Sequence, residues 1–214
     1  MEPDFWHRKW QRNEIAFHEG RPNALLVRHV DRLSLAAGSH VFVPLCGKSA
    51  DIGWLMARGL RVSGAELSRD AVDQLFADLA LEPAITRAGS LTHYRAAGID
   101  IHVGDVFALS ADILGRVDAV YDRAALVALP AMMRTRYAGH LTRITAAAAQ
   151  LLICFEYDPS LMDGPPFSVG EEEVRSLYAR DYALSRLDRV PVAGRLKGTV
   201  EATESVWLLE RREV

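Results

Sequence analysis

Along the chain, short β-branched and aliphatic runs alternate with stretches whose apolar positions recur at helical spacing. Extended runs read as strands over Ser39–Pro44, Arg61–Glu66, Ile99–Val103, Val117–Tyr121, Gln150–Glu156, Tyr182–Val190 and Val200–Glu210. Helical periodicity falls on Ser49–Arg58, Ser68–Leu79, Pro130–Ala147 and Val169–Ala179; Ser68 is placed to cap one N-terminus, and proline stands at an early helical position in another. Two further helical segments precede the first strand. Strand–helix alternation predicts an α/β fold, because parallel neighbours need a crossover between them. The rhythm breaks near the end. Only Pro191 to Thr199, without helical periodicity, separates the last two strands, which predicts an antiparallel hairpin there. The expected sheet therefore has seven strands, mostly parallel, with that C-terminal hairpin.

The first βαβ unit carries the chemistry. An apolar strand runs into Pro44-Leu45-Cys46-Gly47-Lys48-Ser49-Ala50-Asp51, a helix follows, and the second strand closes on Glu66. Gly47 and Glu66 are nineteen positions apart, near the roughly 20 that puts an acid at the second strand's tip beside a ribose bound over the first turn. A dinucleotide fingerprint supplies three glycines so that backbone N–H groups can close on a pyrophosphate. This loop supplies one, with leucine and cysteine offering bulk and apolar surface. That suits an uncharged thioether or a sulfonium tail. The Gly-Lys-Ser here is not a phosphate loop, since the glycine required five positions earlier is Phe42.

Ahead of that unit, Phe5, Trp6, Trp10 and Phe17 concentrate aromatic rings, with Trp6 and Trp10 as i,i+4 neighbours on one helical face. One reading is a hydrophobic anchor that docks an N-terminal helix. The other is a lid of rings over a ligand, and aromatic faces suit a desolvated cation.

Composition bounds the partners. The 214 residues are half apolar and a quarter charged, ordinary usage for one globular domain. A formal net charge of −3 argues against a nucleic-acid binder working through a basic face. The sequence has no run of about 18 apolar residues and opens Met1-Glu2-Pro3-Asp4, so no membrane partner is expected and the cytoplasm is the expected location. Cys46 and Cys154 read as small core thiols, and no His or Cys pair has metal-ligand spacing. A monomer is the default.

Several motifs together resemble one family. They are Trp6-x3-Trp10-x6-Phe17, the Pro44–Asp51 turn, Glu66, Tyr121-Asp122-Arg123-Ala124-Ala125-Leu126-Val127-Ala128-Leu129, Tyr157-Asp158-Pro159, and Gly164-Pro165-Pro166-Phe167. In this order and spacing they resemble the thiopurine S-methyltransferase family across nearly the whole chain, and the compact N-terminus resembles its bacterial branch. The resemblance implies a Rossmann-like class I fold, a single domain over residues 1–214 with an N-terminal helical lid over about 1–37, and no metal. It implies methyl transfer from S-adenosylmethionine to sulfur, releasing S-adenosylhomocysteine. Thiopurine-like heteroaromatic thiols would be the acceptors. Selenium and tellurium compounds, which bacterial relatives are associated with methylating, would extend this to a detoxification or resistance role.

In the family, the positions matching Trp10, Leu45, Glu66 and Arg123 contact the donor, and Phe17 extends the aromatic lid. Glu66 would accept both ribose hydroxyls; the alternative is a surface acid at a strand end. Leu45, with Gly47 letting the backbone approach, would line the methionine pocket, or simply pack. Asp105 and Val106 follow the third strand, where comparable folds hold adenine, although Asp105 could equally cap a helix. Arg123 has two candidate partners, the donor carboxylate or an acceptor thiolate whose pKa a cation would lower; a salt bridge to Asp122 is the plain alternative. Arg195 matches a second arginine that the family places near the acceptor. Phe167, with Tyr157 nearby, could wall a flat acceptor. Positioning can supply most of the acceleration, up to roughly 7–11 kcal/mol, so no general base is named; Asp122, His18, His93 and His140 read as surface or packing residues. The alternatives of other classes are an N- or O-methyltransferase of the same fold, a dinucleotide oxidoreductase, and a non-catalytic nucleoside-binding protein.

Overall fold

The computed structural model describes residues 3–12, 14 and 19–212. Their contacts divide into two units, Met1–Val120 and Tyr121–Val214.

The first unit begins with helices α1 (Pro3–Gln11) and α2 (Ala24–His29). Then come strand β1 (His40–Pro44), helix α3 (Ala50–Ala57), strand β2 (Arg61–Glu66) and helix α4 (Arg69–Asp78). Strands β3 (Ala84–Ala88), β4 (Leu91–Ala96) and β5 (Ile99–Val103) follow, then the short helix α5 (Ala111–Leu114) and the start of β6 (Ala119–Arg123). The strands run in the order β3-β4-β5-β2-β1-β6. β1 pairs in parallel with β2 and with Ala119 and Val120 of β6, and β2 pairs in parallel with β5. Every residue of β1 is buried, as expected of a strand in the middle of a parallel sheet with both faces covered.

Helix boundaries follow from capping. Ser68 accepts the Ala71 N–H at the start of α4, as the sequence predicts, and Ser49 likewise accepts the Asp51 N–H at the start of α3. Asn23 caps α2 through the N–H groups of Leu25 and Leu26, while its own N–H donates to the buried Asp51 carboxylate at 2.6 Å. The helical segment ahead of β1 is thereby fastened to the first turn of α3.

In the second unit, helix α6 (Ala131–Ile144) precedes strand β7 (Ala149–Glu156), helix α7 (Glu171–Tyr178), and strands β8 (Tyr182–Pro191) and β9 (Thr203–Arg211). β9 pairs antiparallel with both β7 and β8, which is the terminal hairpin that the short connection predicted. Arg134 of α6 grips Glu173 of α7 through two hydrogen bonds of 2.6 and 3.0 Å and donates a third to the Leu129 carbonyl. A buried guanidinium is tolerated because its donors are matched in this way.

Two strands were not expected. β3 and β4 form an antiparallel hairpin that continues onto β5. Four of the five residues of β3 are exposed, and the buried positions of β4 are Leu91 and Tyr94, three apart. Neither run shows the period-2 alternation that identifies a half-buried strand. Helix α6 also stops at Ile144, short of the expected Ala147, because Ala146 and Ala147 take left-handed backbone angles.

Candidate active site

The carboxyl ends of β1, β2 and β5 lie side by side in the first unit, and the turns leaving them build the site. After Pro44 the chain makes a strained reversal: Leu45 has φ 47 and Gly47 φ 52. A left-handed leucine is rare and is held only where its surroundings over-determine it. Two contacts do so here. Cys46 donates its N–H to Ala65 O at 3.1 Å, and Gly47 donates its N–H to the Glu66 carboxylate at 2.8 Å.

Glu66 is 6% exposed. One carboxylate oxygen accepts from Gly47 N–H and the other from Ser68 N–H, also at 2.8 Å. Burial pushes its carboxyl above the ordinary range, while the Ser68 and Gly47 N–H groups pull it back. It is therefore no surface acid. Each oxygen has a second lone-pair direction, so the carboxylate can accept a further hydrogen bond on either side.

Trp10 of α1 is 4% exposed, and its ring lies against Gly47. A Cβ at Gly47 would stand 3.1 Å from Trp10 Cζ2, so glycine is needed both for its backbone angle and for the approach of the indole. The aromatic helix thus reaches the turn leaving β1 through Trp10. Phe17 and His18 lie outside the described residues.

At the end of β5, Gly104 N–H donates to Glu66 O at 2.8 Å, which ties the third strand end to the second. Asp105 is exposed and accepts Phe107 N–H at 3.0 Å, while Val106 is buried. The capping role of Asp105 is thus present, and its side chain remains open to solvent.

In the second unit, Arg123 closes β6, partly buried, ahead of Ala124 in a left-handed conformation. Its neighbour Asp122 is 0% exposed and accepts from Leu126 N–H and the Tyr137 hydroxyl at 3.1 and 2.7 Å. Burial raises the Asp122 pKa to about 6. This is a packing acid with both oxygens engaged. The two named histidines among the described residues are also structural: His93 pairs with Asp100, and His140 is buried beside Arg143.

Arg195 is exposed in the loop joining β8 to β9, with its guanidinium 3.7 Å from Glu201. It lines an open groove of about 540 Å³ together with Glu156, Arg189, Val192 and Thr203. Phe167 lies in a separate loop of the same unit. Its ring packs on Gly164, and the Arg134 guanidinium stands 5.8 Å from the ring centre.

A family model described as thiopurine S-methyltransferase matches residues 1–212. The chain belongs to the thiopurine S-methyltransferase family. It is thereby an S-adenosylmethionine-dependent methyltransferase that acts on a small-molecule acceptor. A protein named thiopurine S-methyltransferase from Xanthobacter autotrophicus is 59% identical over 212 residues, 99% of this chain and 100% of that one. Another of the same name from Teredinibacter turnerae is 52% identical over 211 residues, 99% and 98% of the two chains. Among solved structures, an S-adenosylmethionine-dependent methyltransferase from Anabaena variabilis matches with a TM-score of 0.66 at 15% identity, over 98% of this chain and 95% of that one. A TehB-like methyltransferase from Corynebacterium glutamicum matches with a TM-score of 0.59 at 13% identity, over 98% of each. At those identities the two structures share the fold.

The turn leaving β1 in this thiopurine S-methyltransferase family member is chemically compatible with a sulfonium methyl donor. Leu45 and Gly47 present a bulky, uncharged turn in place of a pyrophosphate cradle, and Glu66 is a buried acceptor at the second strand's tip. Sequence reasoning missed both ties of Glu66, to the Gly47 and Ser68 N–H groups, although a serine two positions after a strand-end acid opens the next helix. It also missed Arg134 beside Phe167 and the contact of Trp10 with Gly47, for which no short-range signal exists.

Proposed function

We propose that this enzyme transfers the methyl group to the sulfur of small aromatic and heteroaromatic thiols of the thiopurine kind, and to selenium or tellurium compounds of similar nucleophilicity, in a detoxifying role. Bound S-adenosylmethionine supplies a methyl group already activated on a sulfonium. Trp10, Leu45, Gly47 and Glu66 hold that donor, with Glu66 accepting the ribose hydroxyls on its remaining lone pairs. Val106 and Asp105 stand where the adenine would rest, and Arg123 pairs with a carboxylate or a thiolate.

The observation that carries the sulfur reading is the treatment of the acceptor-side loops. Phe167 is fixed by its own N–H, which donates to Val127 O at 2.6 Å, and by its packing on Gly164. The loop bearing Arg195 is tied to the same segment through Lys197, whose ammonium donates to Pro165 O at 2.5 Å. A flat apolar ring and a cation on two loops tied to each other suit an aromatic thiolate. Such thiols ionise near neutral pH unaided, so orientation can carry the rate. Asp122, the carboxylate next to Arg123 in sequence, is committed to Leu126 and Tyr137.

Residues 1–214 would act as one methyltransferase domain in the cytoplasm, with the segment over about 1–37 as its lid. It would be a monomer with no nucleic-acid or membrane partner. A net charge of −3 supports this, and no helix among the described residues is long and apolar enough to cross a membrane.

The test is a panel of matched acceptors: a heteroaromatic thiol, its hydroxyl and amino isosteres, a selenol, and tellurite. S-adenosylhomocysteine release with the thiol and selenol, and an S-methyl product by mass spectrometry, is the expected result. Transfer confined to the hydroxyl or amino isostere would replace the sulfur reading with an O- or N-methyltransferase.

A further inference from the structure

Three consecutive main-chain groups in the segment Pro165-Pro166-Phe167 are each held by a different part of the second unit. Pro165 O accepts from Lys197 Nζ at 2.5 Å, Pro166 O accepts from the Tyr157 hydroxyl at 2.6 Å, and Phe167 N–H donates to Val127 O at 2.6 Å. Prolines have no N–H of their own to offer a neighbour, so such a segment is fixed only by donors brought to its carbonyls. Two of the three ties come from partly buried or main-chain groups. The third comes from an exposed lysine in a distant loop, 32 residues away.

That loop is built to present the lysine. Gly194, Arg195, Lys197 and Gly198 all have positive φ, at 71, 66, 52 and 73. Leu196 and Val200 are buried and bridge each other through two hydrogen bonds, Leu196 N–H to Val200 O at 2.8 Å and Val200 N–H to Leu196 O at 3.2 Å. The side chains on either side of Leu196 are Arg195 and Lys197, and both are exposed. Arginine at the first position faces the groove, while lysine at the second reaches the proline segment.

Resting on the proposed acceptor chemistry, we infer that Lys197 is a positioning residue that latches the Arg195 loop to the Pro165-Pro166-Phe167 segment. The latch fixes the separation of a cation and an aromatic wall, so it acts on acceptor binding and leaves the donor site alone. Because the lysine is exposed, its removal takes nothing from the core.

The experiment compares wild type, K197M and K197R with an aryl thiol as acceptor. K197M is expected to raise the acceptor KM by about 3- to 10-fold with a smaller change in kcat. Its affinity for S-adenosylhomocysteine and its melting temperature should match the wild type. K197R keeps a cationic donor and should recover most of the KM. Hydrogen exchange read on peptides covering residues 163–168 should be faster in K197M. An unchanged KM alongside unchanged exchange overturns the latch. A wild type that turns over no thiol would overturn the sulfur reading instead, and exchange would then decide the latch by itself: equal exchange in K197M and wild type contradicts it.

Discussion

The Glu66 carboxylate and the Gly47 N–H, nineteen positions apart, meet in a 2.8 Å hydrogen bond. The acid at the tip of β2 therefore does two things. It completes the reversal that leaves β1, and each of its oxygens keeps a second lone-pair direction, which in the proposed site would serve a ligand over that reversal. In the proposed donor site structure and recognition would share this one buried side chain, so substitutions around it should show both effects.

Gly47→Ala should destabilise the protein. Alanine in a left-handed conformation costs roughly 1–2 kcal/mol, which for a chain of this size is a fall of about 2–8 °C in melting temperature. The new Cβ also approaches the Trp10 ring to 3.1 Å. Adding Trp10→Ala removes that second contribution, so the double variant should lose less than the sum of the two single losses. Strict additivity in thermal unfolding would mean that the indole does not press on the turn.

Trp10→Ala by itself should weaken donor affinity more than it weakens the fold. A ring over a cationic sulfonium is worth roughly 0.5–2 kcal/mol, or about 2- to 30-fold in binding. Titration with S-adenosylmethionine, alongside a melting curve of the ligand-free protein, separates the two effects. A large drop in melting temperature with intact affinity would return Trp10 to the role of a hydrophobic anchor.

Asp122 sets a pH dependence. Its pKa is raised to about 6 by burial, against 3.8 for an unburied aspartate. A raised folded-state pKa means that the native state holds the proton more tightly, so this contribution is full below about pH 4 and lost as pH rises through about 6. Asp122→Asn removes the titration. From acid to neutral pH, the wild type should therefore lose on the order of 3 kcal/mol relative to the variant, read from urea unfolding across that window. Parallel curves for the two proteins would show that Asp122 is ionised normally in the fold.

Much of this was legible in the sequence, for identifiable reasons. The burial of β1 on both faces produces the continuous apolar run at Val41–Val43, and Ser68 announces the helix it caps. The spacing of Gly47 and Glu66 placed both at adjacent strand ends. What stayed hidden depends on tertiary context. The hairpin of β3 and β4 has one nearly fully exposed strand and one whose buried residues sit three apart, so neither gives a strand signal. That Glu66 closes on the Gly47 N–H, that Trp10 rests on Gly47, and that Lys197 reaches Pro165 are contacts between segments distant in sequence, and no local pattern encodes them.

The most direct measurement is a calorimetric titration of S-adenosylhomocysteine into the wild type and Glu66→Ala, with circular dichroism confirming that both are folded. Micromolar binding to the wild type and a 10- to 100-fold loss in the variant is the predicted result, since hydrogen bonds to a charged acceptor worth about 1.5–3 kcal/mol are removed. Equal affinity in a folded variant would remove Glu66 from the donor site and contradict the account of the turn.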